Sequence, residues 1–187
     1  MRRSVLAVAG LATALSVLAP WTAAQAITMV IGGQAGECFQ LIKSGRFDPP
    51  AREICTNALT EALNSHDLAG TYVNRGAMEL RARDYPAAHA DFQAAMRTMP
   101  RLGEAHVGEG AYYISQEQYA SAEPELTKGL ALGVEEPEKA YYFRGIARWG
   151  QDDFKGAYFD FKKASELKPG WSLPREQMAN FHVSSAD

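Results

Sequence analysis

Asp152–Pro169 reads "DDFKGAYFDFKKASELKP", and Arg83–Pro100 reads "RDYPAAHADFQAAMRTMP", 69 residues earlier. Laid over each other they pair Asp84 with Asp153, Ala88 with Ala157, Asp91 with Asp160, Phe92 with Phe161, Ala95 with Ala164 and Pro100 with Pro169. Tyr85 falls opposite Phe154. The offset is about twice 34, so a third copy belongs between them, and the upstream halves supply it. Tyr72-x-x-Arg75-Gly76, His106-x-x-Glu109-Gly110 and Tyr141-x-x-Arg144-Gly145 recur at steps of 34 and 35. Downstream come Ala88, Ala122 and Ala157, then Phe92, Leu126 and Phe161, then Ala95, Gly129 and Ala164.

Each copy spells two short helices. In the first, an aromatic residue or His is followed four places later by Gly, so the two stack on one face. In the second, Ala88, Phe92 and Ala95 give the i, i+4, i+7 stripe of an amphipathic helix. Asp84 and Asp153 suit the N-cap, Pro86 suits the first turn, and Pro100 and Pro169 stop the outer copies. The middle copy departs from the pattern. Pro124 falls inside its second helix, which predicts a late start or a kink there.

These residues resemble the tetratricopeptide repeat, whose period is 34 residues and whose second helix carries A-x-x-x-F-x-x-A. The resemblance covers residues 69–170, with units at 69–102, 103–137 and 138–170. It implies an all-α fold, a right-handed α-solenoid of stacked helical hairpins, because one hairpin cannot bury its apolar face alone. A weaker hairpin precedes the repeats over residues 37–68, where Ala51, Cys55 and Ala58 repeat the core stripe. Residues 171–187 read as a capping helix and tail, with Trp171, Leu173, Met178 and Phe181 covering the last unit.

The resemblance further implies a concave groove lined by the first helices. In this numbering it comprises Val73, Ala77, Leu80 and Arg81; Val107, Ala111 and Ile114; and Lys139, Tyr142, Ile146 and Trp149. Only Arg81 and Lys139 of these are cationic, which disfavours a clamp for a peptide's C-terminal carboxylate. What remains is an apolar strip suited to a partner helix or an extended apolar segment, with Tyr142 and Trp149 as anchors. The alternative is that the segment from Trp171 folds over the strip.

Arg75 and Arg144 stand where the family has leucine, and Asp91 and Asp160 lie on the facing helix. The expectation is a structural salt bridge in each hairpin. The middle unit instead places Glu109 and Glu125 there, so Glu109 should bond to an adjacent repeat, through Arg75 or Arg144, or one carboxyl should have a raised pKa.

Residues 1–26 have a basic start at Arg2 and Arg3, an apolar run from Val5 to Ala19 and an A-x-A ending at Ala26. That is the layout of a cleaved export signal, an uncleaved anchor being the competing reading. Residues 27–36 are then a flexible mature N-terminus. The whole chain has net charge −3, and removal of the signal's two arginines makes it about −5, which gives no general attraction for nucleic acid or anionic lipid. No membrane insertion is expected after signal cleavage. An exported chain with two cysteines most often pairs them, here Cys38 with Cys55; free thiols or a metal site are the other readings.

No nucleophile elbow, zincin motif or phosphate loop occurs in the sequence. The histidines His66, His89, His106 and His182 form no recognisable ligand set, and His106 reads as a packed, hydrogen-bonded core residue. No cofactor or metal is expected. The function expected is non-catalytic: an exported, bacterial-type scaffold, in the periplasm by preference with secretion as the alternative, that binds a protein or peptide. A self-associating envelope subunit is the alternative.

Overall fold

The computed structural model describes residues 33–181. The expected signal over residues 1–26, most of the segment 27–36 and the tail with His182 lie outside the described residues. Among the described residues nine helices follow one another: α1 Gln34–Lys43, α2 Pro49–Ala58, α3 Ser65–Ala82, α4 Tyr85–Thr98, α5 Gly103–Ser115, α6 Tyr119–Leu132, α7 Pro137–Trp149, α8 Phe154–Leu167 and α9 Leu173–Met178. Among the described residues there is no strand.

Local chemistry explains where the helices start. Asp48, Asp84 and Asp153 each accept a hydrogen bond from the backbone N–H three residues on, at 3.0, 3.2 and 2.9 Å. Each thereby satisfies one of the unpaired amides of a first turn. Asn64 does the same for α3, accepting from Asp67 N–H. This puts the start of α3 at Ser65, inside the stretch expected to belong to the first hairpin. Helix α1 likewise begins at Gln34, within the segment expected to be flexible, where Gln34 N–H donates to Glu61 Oε1 at 2.9 Å. Pro124 lies inside α6, yet the helix starts at Tyr119, in register with Tyr85 and Phe154. The expected late start does not occur. Pro124 and Ala120 are both exposed, so the carbonyl that loses its partner sits on the solvent side.

The turn inside each hairpin contains one residue in the left-handed region: Gly45 (φ 75°), Arg83 (φ 63°), Glu117 (φ 57°) and Asp152 (φ 62°). Only the first is glycine.

Helices pair as α1/α2, α3/α4, α5/α6 and α7/α8, and the pairs stack in chain order. Successive first helices pack on each other, α1 on α3, α3 on α5 and α5 on α7, whereas successive second helices make at most marginal contact. The stack therefore curves, with first helices on its inner side. Phe92, Leu126 and Phe161 are buried in the middle of the hairpins, and each buried side chain of this kind contributes about 1.5–3 kcal/mol. The repeat glycines seat them. A Cβ on Gly76 would lie 2.8 Å from the Phe92 ring, one on Gly145 2.7 Å from Phe161, and one on Gly110 2.5 Å from Leu126. A Cβ on Gly108, in the next unit, would likewise collide with the Phe92 ring.

Candidate functional site

Cys38 and Cys55 are bonded, with Cα atoms 4.9 Å apart, and both are fully buried. The bridge ties α1 to α2 and sits against Met78 of α3, so it holds the first hairpin onto the repeats. Arg52 adds an ion pair to Glu79 at 3.0 Å.

The inner face is built by α1, α3, α5 and α7, and the sequence-expected strip maps onto it unevenly. Val73, Ala77 and Leu80 on α3 are half-buried, as are Ala111 on α5 and Ile146 on α7. Val107 and Ile114 pack against Ala122, Leu126 and Ala147, within the core shared by the last two units. The Arg81 guanidinium lies 4.6 Å over the Phe47 ring, and Lys139 Nζ bonds Glu136. Both cations of the strip are thus engaged within the chain.

The two expected anchors are half-buried, each against an aromatic ring of the C-terminal segment. Tyr142 packs on Trp171 with ring centroids 4.8 Å apart, and Trp149 on Phe181 at 5.3 Å. Burial pushes the Tyr142 phenol above its ordinary pKa. The segment from Trp171 onward therefore occupies the place of a next repeat. Both side chains remain partly accessible, and Trp149 lines a small hollow of about 330 Å³ with Tyr119 and Ile146. The aromatic residues cover each other because the last unit has no successor to bury its apolar end.

A hollow of about 750 Å³ opens at the other end, between α1 and α3. Phe39 and Gln40 form one wall, Gly70, Thr71 and Asn74 the other, and Leu63 and His66 the rim. Phe39 is among the few exposed large apolar side chains. Gly70 has open space where a Cβ would project. Asn74, one place outside the expected strip, lies in this hollow because α1 approaches α3 from the preceding side.

The polar interior holds the units together. Arg75 binds Asp91 through two bonds of 2.8 and 2.6 Å, and Arg144 binds Asp160 through two of 2.9 and 2.8 Å. These bonds push both guanidinium pKa values up. Asp160 also accepts from Arg148 Nη1 at 2.9 Å, a second arginine one turn on that the sequence reading missed. In the middle unit the two glutamates do not meet. Glu109 reaches into the preceding repeat, as expected, but its partners are His89 at 2.9 Å and Gln93 at 2.8 Å, neither of the expected arginines. Glu125 pairs with His106 at 2.6 Å, and the other nitrogen of His106 meets the Pro100 carbonyl at 3.2 Å. His106 is buried. Burial and the charge of Glu109 raise the Tyr113 phenol. No group of three or more metal-ligating side chains comes together among the described residues.

No protein-family model matches the chain, and no curated protein matches its sequence. Solved structures do. MamA from Desulfovibrio magneticus is 19% identical, with TM-score 0.59, over 80% of this chain and 84% of that one. The first tetratricopeptide-repeat domain of RPAP3, solved with an HSP90 peptide, is 21% identical with TM-score 0.58, over 63% and 94%. Pseudomonas aeruginosa PilF is 14% identical with TM-score 0.61, over 79% and 65%. The fold is that of tetratricopeptide-repeat proteins.

Proposed function

We propose that this chain, a tetratricopeptide-repeat protein by fold, is a non-catalytic adaptor of the bacterial cell envelope that holds a protein or peptide in the hollow between α1 and α3. The observation carrying this reading is the contrast between the two ends of the inner face. Tyr142 and Trp149 stack on Trp171 and Phe181 beside a hollow of only about 330 Å³, whereas Phe39 is exposed and lines with Asn74 one of about 750 Å³. An exposed phenyl ring beside a polar amide suits an extended segment, whose apolar side chain meets Phe39 and whose backbone meets Asn74 and Gln40. The RPAP3 domain of the same fold was solved holding a peptide, SRMEEVD. A carboxylate clamp does not transfer, since Arg81 and Lys139 are engaged elsewhere.

The disulfide supports an oxidising compartment, and the export signal read over residues 1–26 supports the periplasm. Site-specific photo-crosslinking in cells tests the site. A benzophenone amino acid at Asn74 should capture a partner, whereas one at Glu53, on the outer side of α2, should not. Capture from Trp149 but not from Asn74 would move the site back to the C-terminal end. An adduct of twice the chain mass would favour the self-associating envelope subunit.

A further inference from the structure

The outer side of the stack carries a charge bias that the whole chain lacks. The chain has 19 Lys and Arg against 22 Asp and Glu. On the second helices of the three repeats, α4, α6 and α8, the exposed charged residues are Arg97, Lys128, Lys155, Lys162 and Lys163, against Glu166 alone. Helix α8 concentrates the bias around an aromatic residue. Phe159 is 54% exposed, the most exposed large apolar side chain among the described residues. Lys155 precedes it by four positions, and Lys162 and Lys163 follow by three and four, so all three share its helix face, with Glu166 seven positions on as the one acidic residue there. Phe154 and Leu167, at the two ends of α8, are 49% and 43% exposed.

We propose that the outer face of α8, centred on Phe159 and ringed by Lys155, Lys162 and Lys163, docks on an anionic lipid bilayer. A peptide or partner helix needs a concave receiver for its side chains, and this face is convex. A protruding phenyl ring with amines at its rim fits a yielding surface that admits the ring and offers anions around it. The bilayer interface does both, taking aromatic groups at the acyl boundary and pairing lysines with phosphates. Arg97 and Lys128, on the neighbouring second helices, extend the attraction to the extent that it survives salt screening. Net negative charge does not oppose this, because local charge governs contact within a Debye length. The face lies opposite the proposed partner hollow, so both can be engaged at once, and this inference stands without that one.

Co-sedimentation of the protein, purified as the cell accumulates it, with extruded vesicles tests the proposal. Equimolar phosphatidylglycerol and phosphatidylcholine vesicles should bind it, and pure phosphatidylcholine should not. Lys162→Gln with Lys163→Gln should lower the partition coefficient about 25-fold, and Phe159→Ser roughly tenfold. Both variants change exposed side chains, so their melting curves should match the wild type. A Phe159→Trp variant should show a blue-shifted emission component only with the anionic vesicles. Failure of the wild type to bind anionic vesicles would overturn the proposal, including the case where α8 instead captures an acidic protein. Equal binding by wild type and both α8 variants would overturn it as well, since the contact would then lie elsewhere.

Discussion

Two arginines at equivalent positions differ in what depends on them. Arg75 is the side chain that meets Asp91, a nearly buried carboxylate, through both its oxygens. Arg144 shares Asp160 with Arg148. Arg75→Leu strands a buried charge and should cost about 3 kcal/mol. Arg144→Leu leaves Arg148 in place and should cost clearly less, although it restores the residue usual in the family. Urea unfolding of both variants checks the order, and equal losses would mean that Arg148 does not compensate. A second residue-scale expectation concerns Glu117, held at φ 57° in the hairpin turn of the middle unit. Its side chain bears the steric cost of the left-handed region, which glycine avoids. Glu117→Gly should therefore raise stability by about 0.5–1 kcal/mol in the same assay. A loss would show that the side chain contributes more than the strain removes.

At the scale of elements, the first hairpin depends on its covalent bridge. Helices α1 and α2 have ten residues each, and the core they share with α3 is small: Cys38, Leu41, Ala51, Cys55 and Met78. Closing a loop with sequence separation 17 stabilises by about 3 kcal/mol. Reduction of the purified protein should lower its melting temperature. A denaturing thiol assay of unreduced protein should find no reactive thiol, and two thiols would contradict the bridge. Since α1 forms one wall of the hollow, reduction should also weaken any partner held there.

The whole molecule shows which parts of the account the sequence could carry. The hairpins were legible because the stripe of Ala88, Phe92 and Ala95 recurs at the same spacing in every unit, as Ala122, Leu126 and Gly129 and as Ala157, Phe161 and Ala164, and a stripe of that period is the core face of a helix. The turns were not, because Arg83, Glu117 and Asp152 share a left-handed conformation without sharing chemistry; only Gly45 announces it. Glu109 could be read as reaching outward, since no cation faces it within its own unit. The identity of its partners, His89 and Gln93, depends on how α4 meets α5 across the unit boundary. The inner strip was legible as a set of positions but not as a surface. Trp171 and Phe181 could be read as covering the last unit, but no periodic pattern says that the rings they meet are Tyr142 and Trp149.

The most direct test of the account is a titration. Once a partner is identified by crosslinking from Asn74, its binding segment can be measured by calorimetry against the wild type, Phe39→Ala with Asn74→Ala, and Trp149→Ala. Loss of an aromatic anchor and an amide together should weaken binding at least tenfold, on the order of 2 kcal/mol. Trp149→Ala should leave the affinity unchanged, because that ring packs on Phe181 at the far end of the inner face from the hollow. Unchanged affinity in the double variant with a loss in Trp149→Ala would contradict the account and place the partner at the C-terminal end.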